Sequence, residues 1–332
     1  MYNQRIGRDQ PKLKLWRYAG LMLTYRCSAA CAFCYYCCDP DKGGLMEVDT
    51  AISAWEGLIR LAGDTARVHL TGGEPFLVYD RLAEIVEQSH KMELKGLEYI
   101  ETNGSWAENE HEIQEKLKFL AAHGMEKLKI SCDPFHSEYI SIDNVIRLRA
   151  CAIKILGRDR VMIRWEQYLQ NPVEFKGITE TEKREIYRRA LMDDPCRLTG
   201  RAAFMLANLL EQKPVADFIG RTCAEAFLGA KGVHIDPYGN VFCGQCSGIT
   251  LGKLEGISLD KLWREFDPER MAFIDQLFKG GPCGLLDHAG RHGHHPKPGF
   301  AAKCHICMEL RRFYFDKKLF WPIISPDECY HP

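Results

Sequence analysis

The sequence predicts an α/β fold: a parallel sheet built from successive βα units and curled toward a barrel, followed by a smaller cysteine-rich α+β part. Three observations carry this. Between about residues 18 and 165, short β-branched or aromatic runs alternate with longer stretches of helical periodicity. Each helical stretch runs into a glycine (Gly63, Gly96, Gly124, Gly157), the residue that ends a helix in the left-handed region without steric cost, at about the 30-residue spacing of a βα unit. The ends of four successive strand candidates then carry unusual polar groups: Cys27, Thr71-Gly72-Gly73-Glu74, Thr102-Asn103-Gly104 and Ser131-Cys132-Asp133. In a barrel those ends share one rim, where active sites are built. An open, doubly wound sheet is the alternative.

In chain order, the strand candidates are 21–26, 67–71, 98–102, 127–131 and 160–164, and the helical stretches between them are 49–62, 78–94, 109–122 and 142–156. In the first helix Ile52, Trp55, Leu58 and Ile59 recur at helical spacing after a cap at Asp49 or Thr50. Beyond 165 the alternation stops. Residues 181–192 and 201–212 have helical patterns, with Thr181 or Thr199 as possible starts. Residues 232–243 read as a hairpin around Asp236-Pro237-Tyr238-Gly239-Asn240. The Gly-, Pro- and His-rich stretch 281–303 reads as a loop. The two parts divide within 195–220, giving expected domains at 1–215 and 216–332.

Length and composition bound the chemistry. With 332 residues, 46% hydrophobic and 27% charged, the chain suits one large domain with an appendage and excludes a disordered, collagen-like or coiled-coil chain. The 44 basic and 45 acidic residues nearly cancel, so charge gives no case for nucleic acid or an anionic membrane. No apolar run approaches the ~18 residues of a membrane helix. The first residues lack a signal-peptide core, so the cytoplasm is the default location. The 15 cysteines are an odd number clustered in a long chain without a signal, which reads as metal ligation rather than a disulfide scaffold.

Cys27-x-x-x-Cys31-x-x-Cys34 supplies three thiolates on one loop. A structural zinc site takes four ligands, whereas a cubane iron–sulfur cluster held by three cysteines keeps one iron open. Cys37 or Cys38 is the possible fourth ligand that would close it. A second set, Cys223, Cys243, Cys246, Cys304 and Cys307, contains two C-x-x-C pairs, a spacing that also suits tetrahedral zinc. Cys132 and Cys151 read as core residues, and Cys196, Cys283 and Cys329 as unliganded. His288, His292, His294 and His295 offer a metal hypothesis against the plainer one of exposed loop histidines. Arg201 suits either an anionic substrate group or a solvated helix start.

The three-cysteine motif, with Phe33 before its last cysteine, and Thr71-Gly72-Gly73-Glu74-Pro75 at the next strand's end together resemble the radical S-adenosylmethionine enzymes over about residues 18–165. The resemblance implies a partial (β/α)6 TIM-like barrel in which Cys27, Cys31 and Cys34 hold a [4Fe–4S] cluster. S-adenosylmethionine would chelate its open iron, with backbone at Gly72 and Gly73 and the Glu74 carboxylate receiving the methionyl ammonium. Asn103, Ser131 and Asp133 are candidates for ribose or carboxylate contacts. Reductive cleavage would give a 5′-deoxyadenosyl radical that abstracts hydrogen from substrate, an oxidoreductase-like chemistry.

The second set resembles the SPASM or twitch extension, which implies one auxiliary [4Fe–4S] cluster, with zinc as the alternative. Cys223, Cys243, Cys304 and Cys307 are the preferred ligands and Cys246 the rival. Gly239 stands one residue closer to Cys243 than in the longer form. The family context implies a peptide or protein side chain as substrate, a small metabolite as the alternative, and an electron donor such as flavodoxin or ferredoxin. The segment before residue 18 is too short for a separate leader-binding domain, which would have to be on another chain. A reading from another class is a non-catalytic iron–sulfur or zinc protein that carries electrons or binds a partner.

Overall fold

The computed structural model describes residues 1–244 and 246–331. Its strands are β1 (Tyr18–Met22), β2 (Arg67–Thr71), β3 (Leu97–Thr102), β4 (Lys127–Ser131), β5 (Val161–Arg164), β6 (Gly232–Ile235), β7 (Asn240–Cys243) and β8 (Thr250–Lys253). They form one eight-stranded sheet in the order β5-β4-β3-β2-β1-β6-β7-β8. β1 to β5 are parallel and joined by the helices Val48–Ala62, Tyr79–Lys91, Glu110–Ala122 and Ile142–Leu156. This is the partial barrel that the βα alternation predicts. A sixth parallel strand is present, but it is β6, which pairs with β1 at the edge away from β5. The antiparallel strands β7 and β8 extend that edge, so hydrogen bonding runs continuously across residue 215.

The helices follow from their apolar stripes. In Val48–Ala62, Ala51, Ile52, Ala54, Trp55 and Leu58 are buried, and the Trp55 indole N–H donates to the Lys95 carbonyl at 2.9 Å. Each such large apolar side chain contributes about 1.5–3 kcal/mol on burial. Ser141 and Asn109 cap the helices that follow them by accepting backbone N–H groups, as their types favour. Three expectations need correction. β1 ends at Met22, not at 26, because the Tyr25 N–H turns to the Gly43 carbonyl (3.0 Å) and the chain leaves the sheet. The helix after Gly200 stops at Met205 and continues as a 3-10 turn, Ala207–Leu209. Residues 281–303 are no plain loop: Pro282–Leu285 and Leu286–Arg291 are helical, with Leu285 and Ala289 buried four residues apart.

The two faces of the sheet differ. Val68, Leu70, Ile100, Leu128 and Ile130 are buried, and by strand alternation His69, Thr71, Tyr99, Glu101, Lys129 and Ser131 lie on the opposite, concave face. A closed βα barrel fills that face with branched apolar side chains; here it is polar. The Glu101 carboxylate accepts from Lys129 (2.7 Å) and from the Thr71 hydroxyl (2.6 Å). His69 stacks on Tyr99 and meets His234 edge-on over Gly20, where an added Cβ would lie 2.2 Å from the His234 ring.

The hairpin is locked to the cysteine-bearing loop by Asp236. Its buried carboxylate accepts from the Tyr25 hydroxyl (3.0 Å), the Tyr238 N–H (2.9 Å), and the Asn240 N–H and amide (both 2.8 Å). Burial raises its pKa from 3.8 to about 6 despite these donors. A carboxyl whose folded pKa is raised stabilises the fold most when protonated, below its unfolded pKa, and that contribution is lost as pH rises through the folded value. From pH 4.5 to 7 the loss is about 2 kcal/mol. Urea unfolding of the wild type and Asp236→Asn at both pH values should show the variant's stability falling less by that amount. Equal pH slopes would refute this.

Candidate functional site

The site begins where β1 releases the chain. The Leu23 N–H still reaches the Thr71 carbonyl (2.9 Å), and the Cys27 N–H closes the base of an excursion by donating to the Asp39 carbonyl (2.9 Å). Beside it lies the end of β2: the Gly73 N–H donates to the Thr24 carbonyl (2.7 Å) and the Glu74 N–H to the Arg26 carbonyl (3.0 Å). A Cβ on Gly73 would sit 2.0 Å from the Arg26 oxygen, and one on Gly72 2.8 Å from the Thr24 oxygen. The two glycines are thus required by the chain itself, whatever else approaches them.

One cavity at the carboxyl rim is lined by Cys27, Cys31 and Cys34 together with Gly72, Gly73, Asn103, Ser131, His136 and Arg164. Asn103 directs its amide toward the Cys27 sulfur (3.5 Å) and donates to the Ser28 hydroxyl (3.0 Å). Two residues expected to face a cosubstrate are turned elsewhere. The Glu74 carboxylate is fully buried and accepts from the Phe76 N–H (3.1 Å), the Thr102 hydroxyl (2.8 Å) and the Asn103 N–H (2.7 Å). It clips β2 to β3, and burial raises its pKa to about 7. Asp133 is also buried; it caps the turn Pro134–Ser137 and lies 2.6 Å from His136 Nδ1. Burial disfavours the charged His136 ring, yet Asp133 and Cys31 raise its pKa well above the ordinary value. The imidazole therefore lies between a carboxylate and a cysteine.

Arg201 is neither at a solvated helix start nor turned toward a substrate. Only 5% exposed, it donates to the carbonyls of Cys31 (3.2 Å), Cys37 (2.8 Å) and Cys38 (2.9 Å) and to the Asp39 carboxylate (3.2 Å). Its own N–H donates to the Cys34 carbonyl (2.9 Å). Sequence reading missed this role because the contact is long-range and no local pattern announces it. His136 and Arg164 were missed for the same reason. Arg164, the last residue of β5, lies over the rings of Trp165 (4.7 Å) and Phe33 (5.9 Å), and the Tyr35 hydroxyl, Asp133 and Glu101 favour its charged form against burial.

A second cavity is lined by Cys223, Cys246, Cys304 and Cys307, with Arg197, Thr199, Lys303 and Arg311. Cys304 and Cys307 stand one turn apart at the start of the helix Lys303–Asp316. Cys243, preferred over Cys246 on the resemblance, does not line it: its thiol points at the Ala226 (3.4 Å) and Phe227 (3.5 Å) carbonyls, because β7 turns alternate side chains to opposite faces. Cys246, beyond the turn, has Arg197 at 3.8 Å from its sulfur. Arg311 is 1% exposed and its Nε has no hydrogen-bond partner. Cys307 and Cys246 favour its charged form against the burial that opposes it.

No group of three His, Cys, Asp or Glu among the described residues converges on a single-ion site. A cubane asks for something else, since each thiolate binds a different iron. The donor sets fit that group: Cys27, Cys31, Cys34 and Cys38 of one loop line the first cavity, and four cysteines line the second, where a buried arginine with an orphaned Nε supplies positive charge beside the sulfurs. Of the loop histidines, His288 contacts the Tyr314 hydroxyl (3.1 Å) and His294 lies 3.3 Å from Glu309.

No family model and no curated protein matches the chain. Among solved structures it is similar to BtrN in complex with AdoMet and 2-DOIA (15% identity, 84% of this chain and 90% of that one, TM-score 0.48). It is also similar to anSMEcpe with bound AdoMet and the Cp18Cys peptide (12% identity, 92% and 98%, TM-score 0.44). A third is Streptococcus suis SuiB bound to S-adenosylmethionine (14% identity, 95% and 77%, TM-score 0.32).

The contact between the end of β2 and the cysteine loop is directly testable. Gly73→Ala should lower the unfolding free energy by roughly 1–3 kcal/mol through overpacking. Gly43→Ala, with nothing within 4 Å of the added Cβ, should change it by less than about 0.5 kcal/mol. Chemical denaturation of the two variants compares them, and equal stabilities would contradict the packing described.

Proposed function

We propose that this chain is a radical S-adenosylmethionine enzyme. The observation that carries the reading is a single one: Cys27, Cys31, Cys34 and the Gly72-Gly73 strand end line one cavity at the carboxyl rim of a partial barrel. In this reading the three cysteines hold a [4Fe–4S] cluster, Gly72 and Gly73 present backbone to the methionyl group, and Asn103 and Ser131 offer polar contacts from the rims of β3 and β4. When bound, the cluster supplies the electron that cleaves the cosubstrate sulfonium to a 5′-deoxyadenosyl radical, which takes hydrogen from substrate.

The chain's own residues prepare the cavity. Glu74 and Asp133 act from behind it, as positioning residues for Asn103 and His136. Glu101 is held by Lys129, and the Arg164 guanidinium, a planar fork suited to a carboxylate, also faces the cavity. Phe33, Phe135 and Trp165 pack together at the cavity's edge and limit water there.

We assign an auxiliary [4Fe–4S] cluster to Cys223, Cys246, Cys304 and Cys307, within a part that spans 216–332, with zinc as the alternative occupant. Four cysteines close the coordination of such a cluster, which favours electron transfer over substrate binding there. The substrate is a peptide or protein side chain, with a small metabolite as the second reading, and a flavodoxin or ferredoxin supplies electrons in the cytoplasm. No helix of the described residues is long and apolar enough to cross a membrane.

Two experiments test this. After anaerobic reconstitution, the chain should release 5′-deoxyadenosine from S-adenosylmethionine on adding dithionite, and Cys27→Ala, which removes a ligand rather than an outer-shell partner, should lower release by more than the roughly 10–100-fold that loss of such a partner costs; release equal to that of the variant would favour a non-catalytic carrier. Iron quantitation should then show Cys246→Ser losing about half of the wild-type iron, as expected if a metal ligand is lost, and Cys243→Ser retaining it. The reverse pattern would return Cys243 to the ligand set, and stoichiometric zinc would replace the auxiliary cluster.

A further inference from the structure

The first cavity poses a problem that the ligand assignment leaves open. The loop carries five cysteines within twelve residues of chain, from Cys27 to Cys38, and a fourth of them, Cys38, also lines the cavity. Its thiol lies beside that of Cys34. A fourth thiolate would cap the corner that the proposed chemistry needs open. Cys37 is disposed differently. It holds a left-handed φ of 56°, its thiol points at the Cys329 carbonyl (3.6 Å), and its own carbonyl accepts from both Arg201 and Lys42.

We propose, on the footing of the functional reading above, that Arg201 is a positioning residue that keeps Cys38 out of the ligand set. Its guanidinium gathers the carbonyls of Cys31, Cys37 and Cys38, so the middle and the far end of the loop meet on one buried cation. Asp39, whose carbonyl receives the Cys27 N–H, completes the ring with a carboxylate oxygen 3.2 Å from the same group. Gly200 permits the approach: at φ 55°, an added Cβ would lie 2.4 Å from the Tyr35 carbonyl oxygen.

Cys38 lines the cavity beside Cys34, and Arg201 holds its backbone against any further advance toward a cluster corner. Its carbonyl is held at 2.9 Å and that of Cys37 at 2.8 Å, and the advance breaks both charge-assisted bonds where no water replaces them. A planar fork of five N–H donors can serve three carbonyls and a carboxylate together; a lysine ammonium, with three donors at one point, cannot.

The test uses the full chain, reconstituted anaerobically and reduced with dithionite. Iron content is measured, and the electron paramagnetic resonance spectrum is recorded with and without S-adenosylmethionine. The wild type should show a change on adding the cosubstrate. Arg201→Met should keep its iron but lose that change about tenfold in amplitude, and the double variant Arg201→Met/Cys38→Ala should regain it. If Arg201→Met does not fold, Arg201→Lys serves, with a partial loss that Cys38→Ala again restores. An undiminished response in the single variant, or a lost response that the double variant does not recover, overturns the proposal. A wild type whose cluster ignores S-adenosylmethionine would instead sink the functional reading on which it rests.

Discussion

Two backbone hydrogen bonds hold the architecture of this protein to its chemistry: Gly73 N–H to the Thr24 carbonyl and Glu74 N–H to the Arg26 carbonyl. They join the end of one strand to the beginning of the cysteine loop at a distance that no side chain at Gly73 would allow. Because β1 and β2 are already parallel neighbours in register, this clasp fixes where Cys27 starts relative to the whole rim. Glu74 carries the constraint one strand further, since its carboxylate receives the Asn103 N–H, and Asn103 in turn turns its amide back toward Cys27. A closed circuit of short contacts thus runs from β2 through β3 to the cysteine loop.

Charge is arranged around that circuit with a consistent sign. Each buried acid near the first cavity has its own partner: Glu101 has Lys129, Asp133 has His136, and Glu74 is held by neutral donors with a pKa of about 7. The cations are less completely matched. Arg164 lies over aromatic faces beside the Tyr35 hydroxyl, with Asp133 and Glu101 near enough to favour its charged form, and at the second cavity Arg311 keeps an unpartnered Nε in the interior. A buried guanidinium without a counter-charge is costly. The second cavity, where Arg197, Lys303 and Arg311 stand around the cysteines, is therefore electrostatically better suited to an anionic occupant such as a thiolate-bound cluster than to a neutral one.

The legible and illegible parts of this molecule divide along the range of the interactions concerned. β2 and β4 coincide with the sequence expectation, as does the helix Ile142–Leu156, because alternation, helical spacing and the Ser141 cap are local signals. The three cysteines and the Gly-Gly pair were legible as motifs for the same reason. What escaped was set by contacts distant in sequence. Arg201 bonds to carbonyls more than 160 residues away. The choice between Cys243 and Cys246 depends on which way β7 turns its last side chain. The helix Leu286–Arg291 was hidden because six residues cannot display a helical period, and its glycine and histidine read as loop.

The two cysteine cavities are also closer in bonding than in sequence. The Ser247 hydroxyl donates to the Tyr35 carbonyl, so Cys34 of the first cavity and Cys246 of the second are each one peptide bond from a residue in that hydrogen bond. The segment 197–201 makes a second connection: Arg197 reaches the Cys246 sulfur, Thr199 lines the second cavity, Gly200 packs on Tyr35, and Arg201 enters the cysteine loop. Arg311 closes the frame by donating to the Ser247 carbonyl. The two sets of cysteines are therefore tied together by side chains that donate to backbone carbonyls. That proximity follows from the sheet itself, because β6 lies against β1 and so brings the carboxyl-terminal cysteines back to the strand from which the first loop departs.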